Sequence, residues 1–154
     1  MLNINYIEYS IATKSLDIFF AGCNKRCEGC CNPELMSFEN GTDYVEWLPQ
    51  IDHYLEEYKL LIERVFLVGG SPNHQSLEDM EVFMEGLYRR CHPNVKIYAF
   101  CGEEIQEVNN VLKKYCDYIK TGSFIPALII DSNIQHGIKL ATSNQKILTK
   151  GEDY

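Results

Sequence analysis

Three cysteines in the first quarter of the chain have the spacing of metal ligands. Cys23, Cys27 and Cys30 follow the pattern Cys-x3-Cys-x2-Cys within residues 21–33, directly after an apolar run. Thiolates separated by two or three residues in a loop can turn inward onto one iron–sulfur cluster. Three protein ligands leave the fourth iron of a [4Fe–4S] cluster without a side chain, and such an open position is typical of catalytic metal sites.

Zinc and unligated thiols are the alternatives to the cluster. A zinc knuckle needs two Cys-x2-Cys pairs or Cys and His pairs, whereas only Cys27 and Cys30 form such a pair here, and no histidine is near them in the sequence. Cys31 follows Cys30 directly, and adjacent side chains point apart, so we do not expect both to bind one cluster. The spacing therefore favours an iron–sulfur cluster over zinc.

The elements that position these cysteines are predicted by short apolar runs that end at glycine. Runs of β-branched and aromatic residues bounded by turn residues are typical of buried strands. They cover residues 16–20, 65–68, 96–100 and 118–120, and they lead into Gly22, Gly69, Gly102 and Gly122.

Helical patterns separate the predicted strands. The first begins with Asp43 and Glu46 as a capping box, and we expect Pro49 to kink this helix or to mark its true beginning. The second follows Ser76 as its N-cap, and the third runs through residues 105–115. Their apolar stripes are interpreted as core packing.

Strands that alternate with helices predict an α/β fold with a mostly parallel sheet. In such a sheet the loops after the strands share one edge, where ligands bind, so the four glycine-marked loops are expected at one site. A closed eight-unit barrel needs at least about 200 residues. The 154 residues therefore predict one domain, residues 1–154, with a partial, open (β/α) barrel.

Composition restricts the function classes. The net charge of −8 without a basic stripe argues against nucleic-acid binding. We expect no signal peptide at the N-terminus and no membrane span, because the longest apolar runs, such as residues 124–130, are too short. Seven cysteines in such a chain are expected to be reduced thiols or metal ligands in the cytoplasm.

The cysteine loop resembles that of a known family. The segment Phe-Ala-Gly-Cys-x3-Cys-Glu-Gly-Cys-x-Asn at residues 20–32 is similar to the cluster loop of radical S-adenosylmethionine (SAM) enzymes, and it is closest to the activating proteins of anaerobic ribonucleotide reductases. The resemblance continues at Gly-Gly-Ser-Pro, residues 69–72, where the family has Gly-Gly-Asp-Pro. It recurs at residues 117–124 and at Thr-Ser-Asn-Gln-Lys, residues 142–146.

This chain departs from the family pattern at several positions. Ser71 replaces an acidic residue, Cys31 replaces an aromatic residue, and Glu103 stands where an aromatic residue usually follows the glycine of the third strand. Residues 141–142, Ala-Thr, replace a Gly-Ser pair.

The resemblance implies roles for individual residues. It implies that Cys23, Cys27 and Cys30 hold a [4Fe–4S] cluster and that SAM binds the fourth iron. The backbone of Gly29, Cys30 and Cys31 would lie along the adenosyl group. Gly69 and Gly70 would offer backbone groups to the methionine end, and Ser71 would hydrogen-bond the SAM amino group.

The resemblance also implies an activity. A radical SAM activase cleaves SAM reductively and generates a glycyl radical on the large subunit of anaerobic ribonucleotide reductase, with a flavodoxin or ferredoxin as reductant. Two alternatives stay open. One is a radical SAM enzyme that acts on another protein, a peptide or a small molecule. The other is a non-catalytic iron–sulfur electron carrier.

The remaining candidates carry weaker signals. Lys25 and Arg26 are either solvated charges or a docking point for an acidic reductant or partner. Asn144 and Gln145 either contact SAM or the partner or form an ordinary surface turn. Cys101 follows the third strand and could approach SAM. Cys91 and Cys116 are expected to be core thiols. No role is assigned to the four histidines, His53, His74, His92 and His136.

Overall fold

The computed structural model describes residues 1–25, 30 and 32–154. The strands are β1 Asn3–Ser10, β2 Ser15–Ala21, β3 Thr42–Asp43, β4 Arg64–Gly69, β5 Lys96–Phe100, β6 Tyr118–Thr121, β7 Ile134–Gln135, β8 Ile138–Lys139 and β9 Lys146–Thr149. The helices are α1 Tyr44–Glu57, α2 Leu77–Arg90 and α3 Asn110–Tyr115. None of the helices in these described ranges is long and apolar enough to cross a membrane.

A seven-stranded mixed sheet forms the centre of the fold, in the order β3-β1-β2-β4-β5-β6-β9. The pairs β2–β4, β4–β5 and β5–β6 are parallel, and these four strands are the predicted glycine-ended runs. The flanking pairs β1–β2, β1–β3 and β6–β9 are antiparallel. The predicted α/β class is therefore confirmed, with antiparallel strands at both edges of a parallel centre.

The sequence analysis did not predict β1, the antiparallel partner of β2. Ile4 and Ile7 in this strand are buried, whereas Tyr6 and Glu8 are exposed. A register shift between Ile4 and Tyr6 puts a bulge in the strand and breaks its alternation. The bulge explains why no regular period of two was recognisable in the sequence.

The first two helices begin at their predicted caps. The Asp43 carboxylate accepts the Val45 N–H at the start of α1, and the Ser76 hydroxyl accepts the Asp79 N–H at the start of α2. Pro49 lies inside α1, so the prediction that it marks the beginning of the helix is wrong. The cap at Asp43 fixes the start of the helix at Tyr44, five residues before Pro49, and the helix accommodates the proline in its second turn.

The third helix is shorter than its apolar pattern. Ile105–Glu107 is a 3-10 turn, and Val108 and Asn109 are extended before α3 begins. The Asn109 side chain accepts the Leu112 N–H and caps α3. The break arises because Asn109 is a strong N-cap residue and starts a new helix in the middle of the stripe.

The two faces of the sheet are covered differently. One face carries the main core, in which helix residues such as Ile51, Met84 and Leu112 contact strand residues such as Leu67. The opposite face carries a smaller aromatic cluster of Phe66, Tyr98, Leu140 and Ile147, flanked by Val68, Phe100, Tyr118 and Ile138. In the described part of the chain this second cluster includes strand and C-terminal residues and no helix residue.

A C-terminal hairpin covers part of the aromatic face. Its two short strands, β7 and β8, are joined by His136 and Gly137, which both have positive φ angles. Arg64 donates a hydrogen bond to the His136 carbonyl, 2.9 Å, and its guanidinium lies over the rings of Phe66 and Tyr98. Strands of two residues leave no periodic signal, so this hairpin was not predictable from the sequence.

Asp17 on β2 supplies a testable pH dependence of stability. Burial raises the pKa of Asp17 from 3.8 to about 6, although Ser15 donates a hydrogen bond to its carboxylate; Glu8, directly opposite on β1, raises it further. The folded state therefore binds more protons than the unfolded state between these two pH values. Stability contributed by this group falls as the pH rises from 3.8 to about 6.

Asp17→Asn is expected to remove this penalty. The full pKa shift corresponds to about 3 kcal/mol, which solvent screening reduces, so we expect a gain of about 1–2 kcal/mol at neutral pH. The gain should vanish below about pH 4. Urea unfolding across this range measures it, with the exposed Asp131→Asn as control. An equal gain at acidic and neutral pH would contradict the assignment.

Candidate metal centre and ligand cavity

The loops that follow the four parallel strands meet at one edge of the sheet, as predicted. They line a cavity of about 280 Å³ between the cysteine loop and the ends of β4, β5 and β6. Its walls are formed by Cys23, Lys25, Cys30, Asn32, Val68, Gly69, Gly70, Ser71, Phe100, Cys101, Gly102, Lys120, Phe124, Ala141 and Gln145.

Backbone hydrogen bonds close the cysteine loop at its base. The Gly22 N–H donates to the Leu35 carbonyl, 2.8 Å, and the Cys23 N–H donates to the Met36 carbonyl, 3.1 Å. Gly22 has a φ of +112°, and a Cβ there would lie about 2.1 Å from the Phe38 ring. The sharp turn at Gly22 thus directs the chain out of β2 and into the loop that carries the ligands.

Two of the three predicted metal ligands face the same cavity. Cys23 and Cys30 are free thiols that border it, whereas Cys27 lies outside the described residues. Within residues 1–25, 30 and 32–154, no three potential ligands are grouped closely enough to hold a metal ion. Soft thiolate donors suit iron–sulfur clusters and zinc. Cys23 and Cys30, the two ligands that the structure describes, therefore fit a cluster. The role of Cys27 as the third ligand stays a prediction.

Other predicted positions in this loop cannot be placed. Arg26, Gly29 and Cys31 lie outside the described residues, so their predicted roles in docking and in contacts with the adenosyl group stay predictions.

The Gly69-Gly70 turn is required by backbone packing. Gly69 has a φ of +101°, and a Cβ there would lie 2.6 Å from both the N and O atoms of Phe20 on β2. At Gly70 a Cβ would lie 2.5 Å from the Leu35 carbonyl oxygen. These glycines let the β4 loop pass against β2 and the base of the cysteine loop. They also border the cavity, and their contact with a ligand stays a prediction beside this structural role.

Gly69→Ala is expected to destabilise the fold and not only ligand binding. The strained φ and the clash with backbone atoms together predict a loss of about 3 kcal/mol in the free energy of unfolding. Gly151→Ala is the matched control, because Gly151 has a φ of +88° with no atom within 4 Å of its Cβ position. We expect about 1 kcal/mol there. Equal losses in urea unfolding would show that packing at Gly69 is unimportant.

Ser71 is buried and links the β4 loop to the cysteine loop. Its N–H donates to the Gly22 carbonyl, 2.8 Å, and its hydroxyl accepts the Asn73 N–H, 3.2 Å. The hydroxyl therefore caps the 3-10 turn Pro72–His74 while the residue borders the cavity. The hydroxyl oxygen has a second lone pair that can accept a hydrogen bond from an ammonium group, but unlike a carboxylate it cannot neutralise the charge of that group.

Gln75 also links the loop after β4 to the end of β2, a role that the sequence analysis did not predict. Its buried side-chain amide donates to the carbonyls of Ala21, Gly22 and Ser71 at 3.0–3.3 Å. One side chain thus connects the end of β2 to the loop after β4. The position of the ligand loop relative to Gly69 and Gly70 is fixed in this way.

Two lysines border the cavity. Lys25 donates to the Ser123 hydroxyl, 3.0 Å, and Ser123 donates to the Gly102 carbonyl, 2.8 Å. Lys120 donates to the carbonyls of Cys101 and Gly122. Lys25 therefore connects the cysteine loop to the loops after β5 and β6. Lys25 is half-buried and has Ser123 as a hydrogen-bond partner, and its role in docking stays a prediction.

Asn144 and Gln145 hold the loop after β6. The Asn144 side chain donates to the Ser123 carbonyl, 3.0 Å, and the buried Gln145 side chain accepts the Thr142 N–H, 3.1 Å. Gln145 is buried and borders the cavity, and the predicted docking role of Asn144 and Gln145 stays a prediction. Its predicted contact with SAM stays a prediction.

The three cysteines outside the loop differ in position. Cys116 is fully buried, and burial raises the pKa of its thiol well above the usual value. Cys91 follows α2, and burial raises its pKa to about 12. Cys101 is buried but borders the cavity, and burial raises its pKa strongly as well. All three thiols are therefore protonated at neutral pH and are poor nucleophiles.

A buried His–Glu pair beside Cys23 was not predicted. His74 Nε2 lies 2.6 Å from Glu103 Oε1, and His74 Nδ1 accepts the Asn24 N–H, 2.8 Å. Within the described residues, neither Glu103 oxygen has a hydrogen bond of regular geometry, so the contact with His74 is an ion-pair distance of 2.6 Å. The two residues follow different strands, and no spacing rule connects them.

Electrostatics couple this pair to the cysteine. Hydrogen bonds to Cys23 and Glu103 raise the pKa of His74 to about 9. Burial would raise the pKa of Glu103, but His74 and Lys25 outweigh it and hold the pKa below its usual value. The Asn24 N–H donates to Nδ1, so in this arrangement Nδ1 carries no proton and Nε2 is the ring nitrogen that faces Glu103.

A larger depression of about 860 Å³ lies at the opposite ends of the strands. Arg64, Lys96, Tyr98, Tyr118 and His136 are among its walls, and none of its lining residues is a cysteine. It is broad and open, and it shares no residue with the cysteine cavity. Of the predicted metal ligands, the two that the structure describes, Cys23 and Cys30, therefore both border the smaller cavity.

The parallel sheet and the cysteine loop at its carboxyl edge define an α/β iron–sulfur protein, and comparison with known families agrees. The family model for a 4Fe-4S single cluster domain matches residues 14–148, which is most of the chain. The chain belongs to this family, so the predicted iron–sulfur cluster is supported against zinc. No curated protein matches the chain.

Proposed function

We propose that this protein is a radical SAM enzyme that generates a glycyl radical on the large subunit of an anaerobic ribonucleotide reductase. The observation that carries the proposal is the shared cavity: Cys23 and Cys30 open into the same space as Gly69, Gly70 and Ser71. A carrier of electrons needs a cluster but no ligand cavity beside it. A cavity next to an incompletely ligated cluster suits a second molecule that binds the open iron.

The chain's own residues would bind and orient this molecule. Bound together, the cluster and SAM supply a reductively generated 5′-deoxyadenosyl radical. Backbone groups at Gly69 and Gly70 would hold the methionine end, and the Ser71 hydroxyl would contact its amino group. Val68, Phe100 and Phe124 give the cavity apolar walls, which would limit the access of water to the reacting atoms.

A protein substrate is favoured over a small one by the surroundings of the cavity. We propose that the sheet is a partial, open barrel whose open side admits a loop of a large partner. Phe124 borders the cavity and begins a segment, residues 124–134, in which five aliphatic side chains are exposed. They are Ile125, Leu128, Ile129, Ile130 and Ile134. An exposed apolar patch of this kind suits contact with another protein.

An acidic flavodoxin or ferredoxin is the proposed electron donor. Lys25 and Arg26 lie in the cysteine loop of a chain whose net charge is −8, so the cluster would have local positive charge beside it. Electrostatic complementarity of this kind increases association rates more than affinity.

The cleavage of SAM tests the first half of the proposal. Anaerobically reconstituted and reduced protein is expected to convert SAM into methionine and 5′-deoxyadenosine, measured by chromatography, and SAM should perturb the EPR signal of the cluster. Cys91→Ala should retain this reaction, and Cys30→Ala should lose it. A cluster-loaded protein that neither binds nor cleaves SAM would be an electron carrier, and the proposal would be abandoned.

A further inference from the structure

The pair His74 and Glu103 connects three loops at the carboxyl edge of the sheet. Glu103 follows β5, and its carbonyl accepts the Gly122 N–H, 3.1 Å, so its backbone is fixed to the loop after β6. His74 ends the 3-10 turn after β4. Asn24, whose N–H donates to His74 Nδ1, follows the ligand Cys23. The Glu103 carboxylate thus orients the His74 ring. The ring in turn accepts the N–H of Asn24, the residue after Cys23.

Both side chains are largely withdrawn from solvent. They are 14% and 8% exposed. Within the described residues, His74, the backbone N–H of Glu103 and the nearby Lys25 offset the cost of burying the Glu103 carboxylate. Burying a carboxylate and an imidazole costs desolvation free energy that apolar side chains would not incur.

We infer that His74 is a positioning residue for the cluster, oriented by Glu103, and that the pair acts on the metal through Cys23 and the Asn24 N–H. The inference rests on the proposed iron–sulfur site and deepens it. Groups that hold metal ligands from the outer shell typically change metal affinity about 10–100-fold when removed. Charges and hydrogen bonds next to the ligand sulfurs also set the reduction potential of a cluster.

Iron retention separates the positioning role from ordinary stability. His74→Ala is expected to lose iron to a chelator about tenfold faster than the wild type under anaerobic conditions. His74→Asn, whose Oδ1 can still accept the Asn24 N–H, should largely restore retention. His92→Ala is the matched control, because His92 Nδ1 accepts the Asn94 N–H in the same way on a distant turn. Its iron loss should equal that of the wild type.

The reduction potential tests the role of Glu103 separately. Glu103→Gln keeps the shape of the side chain and an oxygen for His74 Nε2–H but removes a negative charge near Cys23. The reduced cluster carries one more electron, so its potential, measured by EPR-monitored titration, should shift upward. Glu85→Gln on the exposed face of α2 should leave it unchanged.

The outcomes distinguish this inference from the proposed function. A wild-type protein that binds no cluster would overturn both. A wild-type cluster that His74→Ala retains as long as His92→Ala does, together with an unchanged potential in Glu103→Gln, would overturn the inference alone. If His74→Ala does not fold, His74→Asn and Glu103→Gln decide the question.

Discussion

Cys30→Ala is expected to reduce the iron of anaerobically reconstituted protein from about four atoms per chain to near zero. The reason is that Cys30 borders the cavity beside Cys23, and a three-thiolate site has no spare ligand. Cys23→Ala and Cys27→Ala should have the same effect. Iron and sulfide analysis with the absorbance of the cluster measures the loss.

Three other cysteines are internal controls for this result. Cys116→Ala and Cys91→Ala should keep the full iron content, because these thiols lie away from the cavity and are protonated. Cys31→Ala should also keep it. If Cys31→Ala abolishes the cluster as fully as Cys30→Ala, the fourth iron is not open, and a ferredoxin-like carrier becomes the better interpretation.

The second large effect is expected when the partner is present. A C–H bond on the methyl group of 5′-deoxyadenosine is stronger than the Cα–H bond of a backbone glycine, whose radical both flanking amides stabilise. Transfer of hydrogen from glycine is therefore downhill once the glycine loop enters the cavity. The protein with SAM and reductant alone should turn over slowly, and the cognate anaerobic reductase should then acquire a stable EPR doublet.

We propose that the partner docks on the apolar segment beside the cavity and thereby closes it. Residues 124–134 expose aliphatic side chains, and this segment begins at Phe124, which borders the cavity. The glycine loop of the partner would exclude water from the cavity as it enters. Ile129→Asp should weaken activation of the reductase without lowering the iron content. Ile11→Asp, in the exposed turn after β1, should leave activation unchanged. Equal activation by both variants would contradict this docking surface.

The parallel centre of the fold was predictable because its strands are buried on both faces. Such strands are continuous apolar runs, as at residues 65–68, and a glycine ends each of them. The edge strands of the sheet were not predictable, because they lack such continuous apolar runs. β1 is half exposed and bulged, and β9 has only four residues, so neither has a clear period.

The site divides in the same way. The spacing of Cys23, Cys27 and Cys30 is a local property of the sequence, and it predicted the cluster that the family match supports. The pairing of His74 with Glu103 depends on which loops meet at the sheet edge, and nothing in either local sequence signals it. The clash that requires glycine at position 69 also depends on a neighbouring strand, β2.

Hydrogen transfer from the partner tests the central claim most directly. The cognate reductase would be prepared with α-deuterated glycine and incubated anaerobically with this protein, SAM and reductant. The account predicts that the 5′-deoxyadenosine formed carries one deuterium by mass spectrometry and that the splitting of the EPR doublet collapses. Unlabelled 5′-deoxyadenosine, formed at the same rate with and without the reductase, would contradict it.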